Sequence, residues 1–194
     1  GRLWGGRATL TAAIYYAQWR QQQNRGLAPC LDDRPTFPTF NTIVTTATTG
    51  AGGSTDLEGV EVEFNIAATN KLSFESSFAY NKTDILRRDC ADCLIILGFR
   101  EIAGLHKEFS RTPKYSAAIS GNYQSRLTEA IDWFVRTDYI FRGSTWATDA
   151  NITETGNSHR VNLRGGIQQG GLRLEAYVTN LFDNKTFTGY QRLT

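Results

Sequence analysis

An all-β chain, forming part of an antiparallel, transmembrane up-and-down barrel, is the fold class this sequence predicts. Three observations carry the expectation. Apolar and polar residues alternate along most of the chain, the connections alternate between short and long, and aromatic residues collect at strand ends. A period of two means β-strand, because successive side chains point to opposite faces of a sheet.

The clearest stretch is Asp56–Tyr80. Val60, Val62, Phe64, Ile66 and Ala68 are apolar, whereas Glu61, Glu63 and Asn65 between them are polar. After Thr69, Asn70 and Lys71 the alternation resumes: Leu72, Phe74, Phe78 and Tyr80 share a face with Ser76, opposite Ser73, Glu75, Ser77 and Asn81. This reads as an antiparallel hairpin with one greasy and one wet face. Each strand is about as long as the roughly 9–11 residues that a tilted strand needs to cross a bilayer. The same pattern recurs in Leu10, Ala12, Ile14 and Tyr16, and again in Tyr115, Ala117, Ile119, Gly121 and Tyr123. It returns in Ile131, Trp133, Val135, Tyr139 and Phe141, in Val161, Leu163, Gly165 and Ile167, and in Leu172, Leu174, Ala176 and Val178. That makes about seven strands, with no convincing helix between them.

The connections at Thr69–Lys71, Ser125–Ala130 and Gln169–Gly171 are short, while Gln23–Leu57, Ile85–Arg111 and Ser144–Ser158 are long. Long structureless loops are uncommon inside compact soluble domains. Outer-membrane barrels, in contrast, have short periplasmic turns and long extracellular loops. With the short turns periplasmic, Tyr123 and Trp133 fall at one rim, and Tyr80, Tyr115, Tyr139 and Phe141 at the other. These form two aromatic girdles at headgroup level. The polar faces carry Glu61, Glu63, Arg136, Asp138, Arg164, Arg173 and Glu175, which suits a water-filled or plugged lumen. A soluble β-sandwich predicts similar alternation. It predicts neither the order of the loops nor the aromatics at strand ends.

Composition narrows the function classes. With 194 residues, 21% charged and a net charge of +2, the chain has scattered rather than clustered lysines and arginines. That argues against nucleic acid as a partner. No run approaches the roughly 18 apolar residues of a membrane helix. The chain has no Met, opens on Gly1-Arg2-Leu3-Trp4 and shows no signal peptide, which reads as a piece of a longer polypeptide.

Little in the sequence suggests bond-making chemistry. Cys90-Ala91-Asp92-Cys93 could be a redox pair or half a zinc site. Zinc needs two more ligands, and only Cys30, His106 and His159 are of the right type, with no matching second pair, so no metal is expected. All three cysteines fall in connections placed outside the cell, where oxidation is allowed. The spacing favours a loop-stabilising disulfide, either Cys90–Cys93 or a bridge from Cys30 to one of them, with one thiol left over. His106 and His159 have no Ser or Cys nucleophile in a local signature. Walker, Rossmann and zincin motifs are absent. No catalytic residue and no cofactor are therefore expected, and the glycosylation acceptor pattern Asn151-Ile152-Thr153 is incidental in a bacterial outer membrane.

Four motifs add a family resemblance. Leu172–Asp183, reading LRLEAYVTNLFD and ending in Asn180, Leu181, Phe182 and Asp183, resembles the C-terminal NLFD segment of TonB-dependent outer-membrane receptors. Gly59-Val60-Glu61-Val62-Glu63 resembles the family's strand start after a long loop. Arg111-Thr112-Pro113-Lys114-Tyr115 resembles its TPKY strand opening, and Arg7–Arg20, with Ile14-Tyr15-Tyr16 and Trp19, resembles its aromatic-rich strand. The four stand in the family's order across most of the chain.

The resemblance implies that residues 1–194 are the C-terminal portion of a receptor barrel, about its last third. An N-terminal plug, the earlier strands and the final strand are expected outside this chain. It also implies active import across the bacterial outer membrane, energised by TonB acting through that plug. The solute would be scarce: a ferric siderophore (hence iron uptake), cobalamin or an oligosaccharide. Glu61, Glu63, Arg136, Arg164, Arg173 and Glu175 are then expected to face the plug or solute, and the outward apolar rows to face lipid. Phe37, Phe40, Arg87, Arg88, Arg100, His106 and Trp146 are the loop residues able to grip a ligand by stacking or charge. Two other classes fit the alternation: a passive porin-like barrel, and a soluble β-sandwich ligand-binding module.

Overall fold

A computed structural model describes residues 1–31, 43–90, 93, 96–99 and 101–189, with the backbone alone described for 24–31 and 43–51. After a short β1 (Arg2–Leu3) and a single 3-10 turn come β2 (Ala8–Leu31), β3 (Ile43–Ala67) and β4 (Leu72–Asp89). They are followed by β5 (Glu101–Lys107), β6 (Tyr115–Arg126), β7 (Asp132–Arg142), β8 (Ser158–Gln169) and β9 (Leu172–Val178). All nine join one antiparallel sheet in the order β1-β2-β3-β4-β6-β7-β8-β9, with β5 paired to β4. Among the described residues β1 and β9 do not meet, so the sheet is a partial, open barrel wall.

The seven expected strands are all present, and two features go beyond them. The connection expected at Gln23–Leu57 is largely strand: β2 runs on to Leu31 and β3 begins at Ile43, with Leu31 opposite Ile43. The stretch holding Thr45, Thr46, Thr48 and Thr49 is β-branched, which suits a strand, but it has no apolar alternation for a period-two reading to detect. In the second connection, β4 changes partner. Its first half pairs with β6, from Leu72↔Tyr123 to Tyr80↔Tyr115, and its far end pairs with β5, from Ile85↔Lys107 to Asp89↔Glu101. The short turns are as expected. Between β8 and β9 the two-residue turn needs the left-handed Gly170, at φ 55°.

Register sorts the side chains into rows. One row crosses the sheet through Leu10, Phe64, Ser76, Ile119, Tyr139 and Val161. The row on the other face runs through Asn65, Glu75, Ser120, Asp138 and Asn162. The apolar face is bare: Ile14 is 84% exposed and Leu174 68%. No second sheet packs against it among the described residues, which removes the sandwich reading. At the rims of this face Tyr80 lies 5.2 Å from Tyr115 and Tyr123 lies 5.2 Å from Trp133, centroid to centroid. The buried apolar cluster sits elsewhere, at the long-loop end, and comprises Ile85, Cys90, Cys93, Ile102 and Ala150 with Phe99 and Phe109 against it.

Such a wall is stable where its apolar face meets lipid. Val62→Arg or Val135→Arg, on that face near its middle, is expected to cost about 2–4 kcal/mol of barrel stability, whereas Glu63→Arg on the polar face is not. Urea unfolding of the barrel in lipid vesicles measures all three. Equal tolerance of the three substitutions would mean that the faces are assigned wrongly.

Candidate functional site

Two groups of polar side chains stand out: a network on the polar face, and a knot of loops at the far end. On the polar face Asp138 accepts hydrogen bonds from Ser120 Oγ at 2.6 Å and Arg136 Nε at 2.8 Å. The same arginine reaches across to Glu75 Oε2 at 3.2 Å, so the network joins β4 and β7 through Arg136 and β6 and β7 through Asp138. Farther along the sheet, Arg164 and Arg173 both approach Glu175, at 3.6 and 2.8 Å. Each of these residues projects to this face because strand parity puts it there. Water-exposed ion pairs contribute only about 0–1 kcal/mol each, so their main effect is to hold the side chains in place. Glu61 and Glu63 differ: both are exposed, and neither has an ion pair or hydrogen bond among the described residues.

At the long-loop end, the segment after β5 and the connection between β7 and β8 are tied into one unit. Asn151, held at φ 51°, donates from Nδ2 to the Glu108 carbonyl at 2.9 Å, and its Oδ1 accepts the Glu108 N–H at 2.6 Å. Asp149 accepts the Ser110 N–H at 3.0 Å and pairs with Arg88 at 3.1 Å, while Arg88 lies over the Phe109 ring. Trp146 donates its indole N–H to Glu108 Oε2 at 3.1 Å. Beneath these contacts Ala150 enters the apolar cluster beside the Cys90–Cys93 disulfide, whose two residues are 4% and 0% exposed. Of the pairings left open by spacing, Cys90–Cys93 is the one formed. The Cys30 side chain lies outside the described residues.

The cap leaves an open pocket of about 460 Å³ lined by His106, Glu108, Lys114, Trp146, Asn151 and Glu154, among others. Sequence reasoning named two of these, His106 and Trp146, and the fold brings them together. His106 Nδ1 also lies 2.8 Å from Asp84. Arg87 and Arg88 do not join them: Arg87 pairs with Glu101 and Arg88 with Asp149. Phe37, Phe40 and Arg100 lie outside the described residues. Glu108, Asp149 and Asn151 were missed, because a bond between two loops leaves no local pattern. On the outer surface nearby, Glu58 accepts a hydrogen bond from Lys82 at 2.7 Å and holds that ammonium above the ordinary lysine range.

Residues 2–181 match the family model described as TonB dependent receptor-like, beta-barrel. This chain belongs to that family. Eleven chains of known structure also match. Among them is the siderophore receptor PiuA from Acinetobacter baumannii, at a TM-score of 0.59 and 15% identity, with 96% of this chain and 24% of that chain covered. The chain thus spans about a quarter of that receptor's length, and at this identity the likeness is one of fold. No curated protein matches the sequence.

The family's NLFD motif has a definite geometry in this TonB-dependent receptor barrel. β9 ends at Val178, and Asn180–Asp183 form a turn that keeps the chain against β8 without continuing the strand. Asn180, at φ 53°, donates its backbone N–H to Asn162 Oδ1 at 3.0 Å. Its own Oδ1 accepts the Asn184 N–H at 3.0 Å, and Leu181 N–H bonds the Val161 carbonyl at 2.7 Å. Asn is among the residues that most readily adopt this left-handed conformation while bonding the local backbone.

Asn151→Ala removes both bonds to the Glu108 backbone and is expected to destabilise the cap by about 1–3 kcal/mol. Hydrogen exchange mass spectrometry should then show faster exchange at 108–111 and 146–150, with β6–β8 unchanged. Unaltered exchange in the cap would show that the two loops hold together by other means.

Proposed function

We propose that this chain is the C-terminal wall portion of a bacterial outer-membrane receptor that imports a scarce solute with energy delivered by TonB. The plug, the earlier strands and the final strand of that receptor lie outside it. The observation that carries this reading is the family match over residues 2–181, on a sheet with one bare apolar face and one ion-paired face. The bare face is apolar enough to sit in lipid. The other face is wet enough to line a lumen, with Glu61, Glu63, Arg136, Arg164, Arg173 and Glu175 turned toward a plug or passing solute.

Solute recognition in this reading occurs at the extracellular cap. The pocket offers the indole of Trp146, the imidazole of His106 and the paired charges of Lys114 and Glu108. Its walls are pinned before any ligand arrives, which limits the ordering cost of binding. A ferric siderophore is the solute to test first, since the structurally similar PiuA is a siderophore receptor; cobalamin and oligosaccharides follow.

The test is uptake of iron-55 from a panel of ferric siderophores by cells carrying the complete receptor as their only route. Deleting TonB should abolish uptake, and Trp146→Ala with His106→Ala should raise the half-saturating concentration about tenfold, the loss of one aromatic anchor. Uptake that continues without TonB would replace this reading with a passive pore.

A further inference from the structure

At the opposite end of the polar face lies a second hollow, of about 570 Å³, whose lining includes Lys71, Gln124, Arg126, Phe134, Gln168 and Arg173. A volume of this order is that of a small-molecule site. Its walls come from the β3–β4 turn and from β6, β7, β8 and β9, so the feature exists only once the strands are in register.

The group in it with the most contacts is the Arg173 guanidinium. Nε and Nη2 both donate to Glu175 Oε2, at 3.2 and 2.8 Å, and the guanidinium carbon stands 4.2 Å from the centre of the Phe134 ring. The ring can lie so close to the sheet because residue 166 is glycine. A Cβ there would fall 2.9 and 3.1 Å from the Phe134 ring carbons and 2.3 Å from the Leu174 carbonyl oxygen. Phe134 and Glu175 thereby fix the plane of Arg173 and leave Nη1 without a partner among the described residues. Lys71 and Arg126 likewise have no ion pair there. The one carboxylate lining the hollow is Asp132, directly across from Arg126 in register. Glu175 holds Arg173, and Asp132 is the one carboxylate beside Lys71 and Arg126, so positive charge is in excess amid the amide N–H groups of Gln124 and Gln168.

We propose that this hollow is an oxyanion site on the lumen wall, a station where the carboxylate or phosphate group of a diffusible solute rests near the periplasmic exit. Guanidinium N–H groups fit such oxygens with a fixed fork, and ammonium and amide donors complete the shell. The chemistry is shared by carboxylates and phosphates, and the site would hold either. The placement near the exit rests on the transport reading above, but the binding itself does not.

Phosphorus-31 NMR of inorganic phosphate, titrated with the complete receptor in detergent micelles, tests the proposal without requiring uptake. The wild-type protein should broaden the resonance in a saturable way. Lys71→Gln combined with Arg173→Gln should weaken binding at least tenfold, and Phe134→Leu, which removes the stacking but no charge, about threefold. Asp132→Asn should act in the opposite direction and tighten binding, since it removes the opposing carboxylate. Adding benzoate should displace phosphate if the site accepts carboxylates as well. No broadening with the intact receptor overturns the proposal, whether the hollow is empty of affinity or already filled by an acidic side chain of a lumen-filling body. Phosphate binding that ignores all of these substitutions overturns it too. Should uptake prove independent of TonB, the transport reading falls while the phosphate result stands.

Discussion

Everything in this molecule depends on the antiparallel hydrogen-bonded ladder that runs without a break from β1 to β9. A wall with lipid on one side must satisfy its backbone within the sheet, because no water is present to accept a stray N–H. Pairing strand to strand meets that demand and at the same time fixes register. Register in turn decides which side chains meet: once Asn65 lies opposite Glu75, and Glu75 opposite Ser120, the polar row through Asp138 and Asn162 follows. A slip of one residue would exchange the two faces entirely.

The ladder also explains the location of the buried core. In a soluble domain apolar side chains pack under the sheet, but here the only buried apolar cluster among the described residues lies beyond the rim, around Ile85, Ile102 and the Cys90–Cys93 disulfide. Above the membrane the chain is in water again and has to bury apolar surface in the ordinary way. The partner switch of β4, from β6 to β5, creates the space in which two loops can do so. The result is a pocket whose walls are already set, at the long-loop end of the sheet.

The two polar regions use charge differently. On the wall, Arg136 pairs with Asp138 on its own strand and with Glu75 two strands away, whereas Glu61 and Glu63 have no ion pair or hydrogen bond among the described residues. At the cap, Asp149 and Glu108 spend their oxygens on loop backbone, Arg88, Lys114 and Trp146, so their role is to join segments.

Much of this was legible in the residue order. Alternation at Val60–Ala68 and Leu72–Tyr80 identified strands, their facing and the hairpin between them, because a two-residue period is a property of the backbone itself. The NLFD, TPKY and glycine-hydrophobic-glutamate motifs and the aromatic-rich Arg7–Arg20 strand, taken together in order, pointed to the family. What the order could not convey was decided by contacts between distant segments. The upper halves of β2 and β3 pair through the backbone, and neither the polar segment 20–31 nor the threonine- and glycine-rich segment 43–54 carries the apolar alternation that marks a strand. Asn151 meets Glu108 only once the segments after β5 and β7 come together, and Phe134 meets Arg173 only once β7, β8 and β9 lie side by side. Local periodicity determined which elements form and which way they face; the sheet's register alone determined which side chains share a site, because hydrogen-bonded neighbours in space are far apart in the chain.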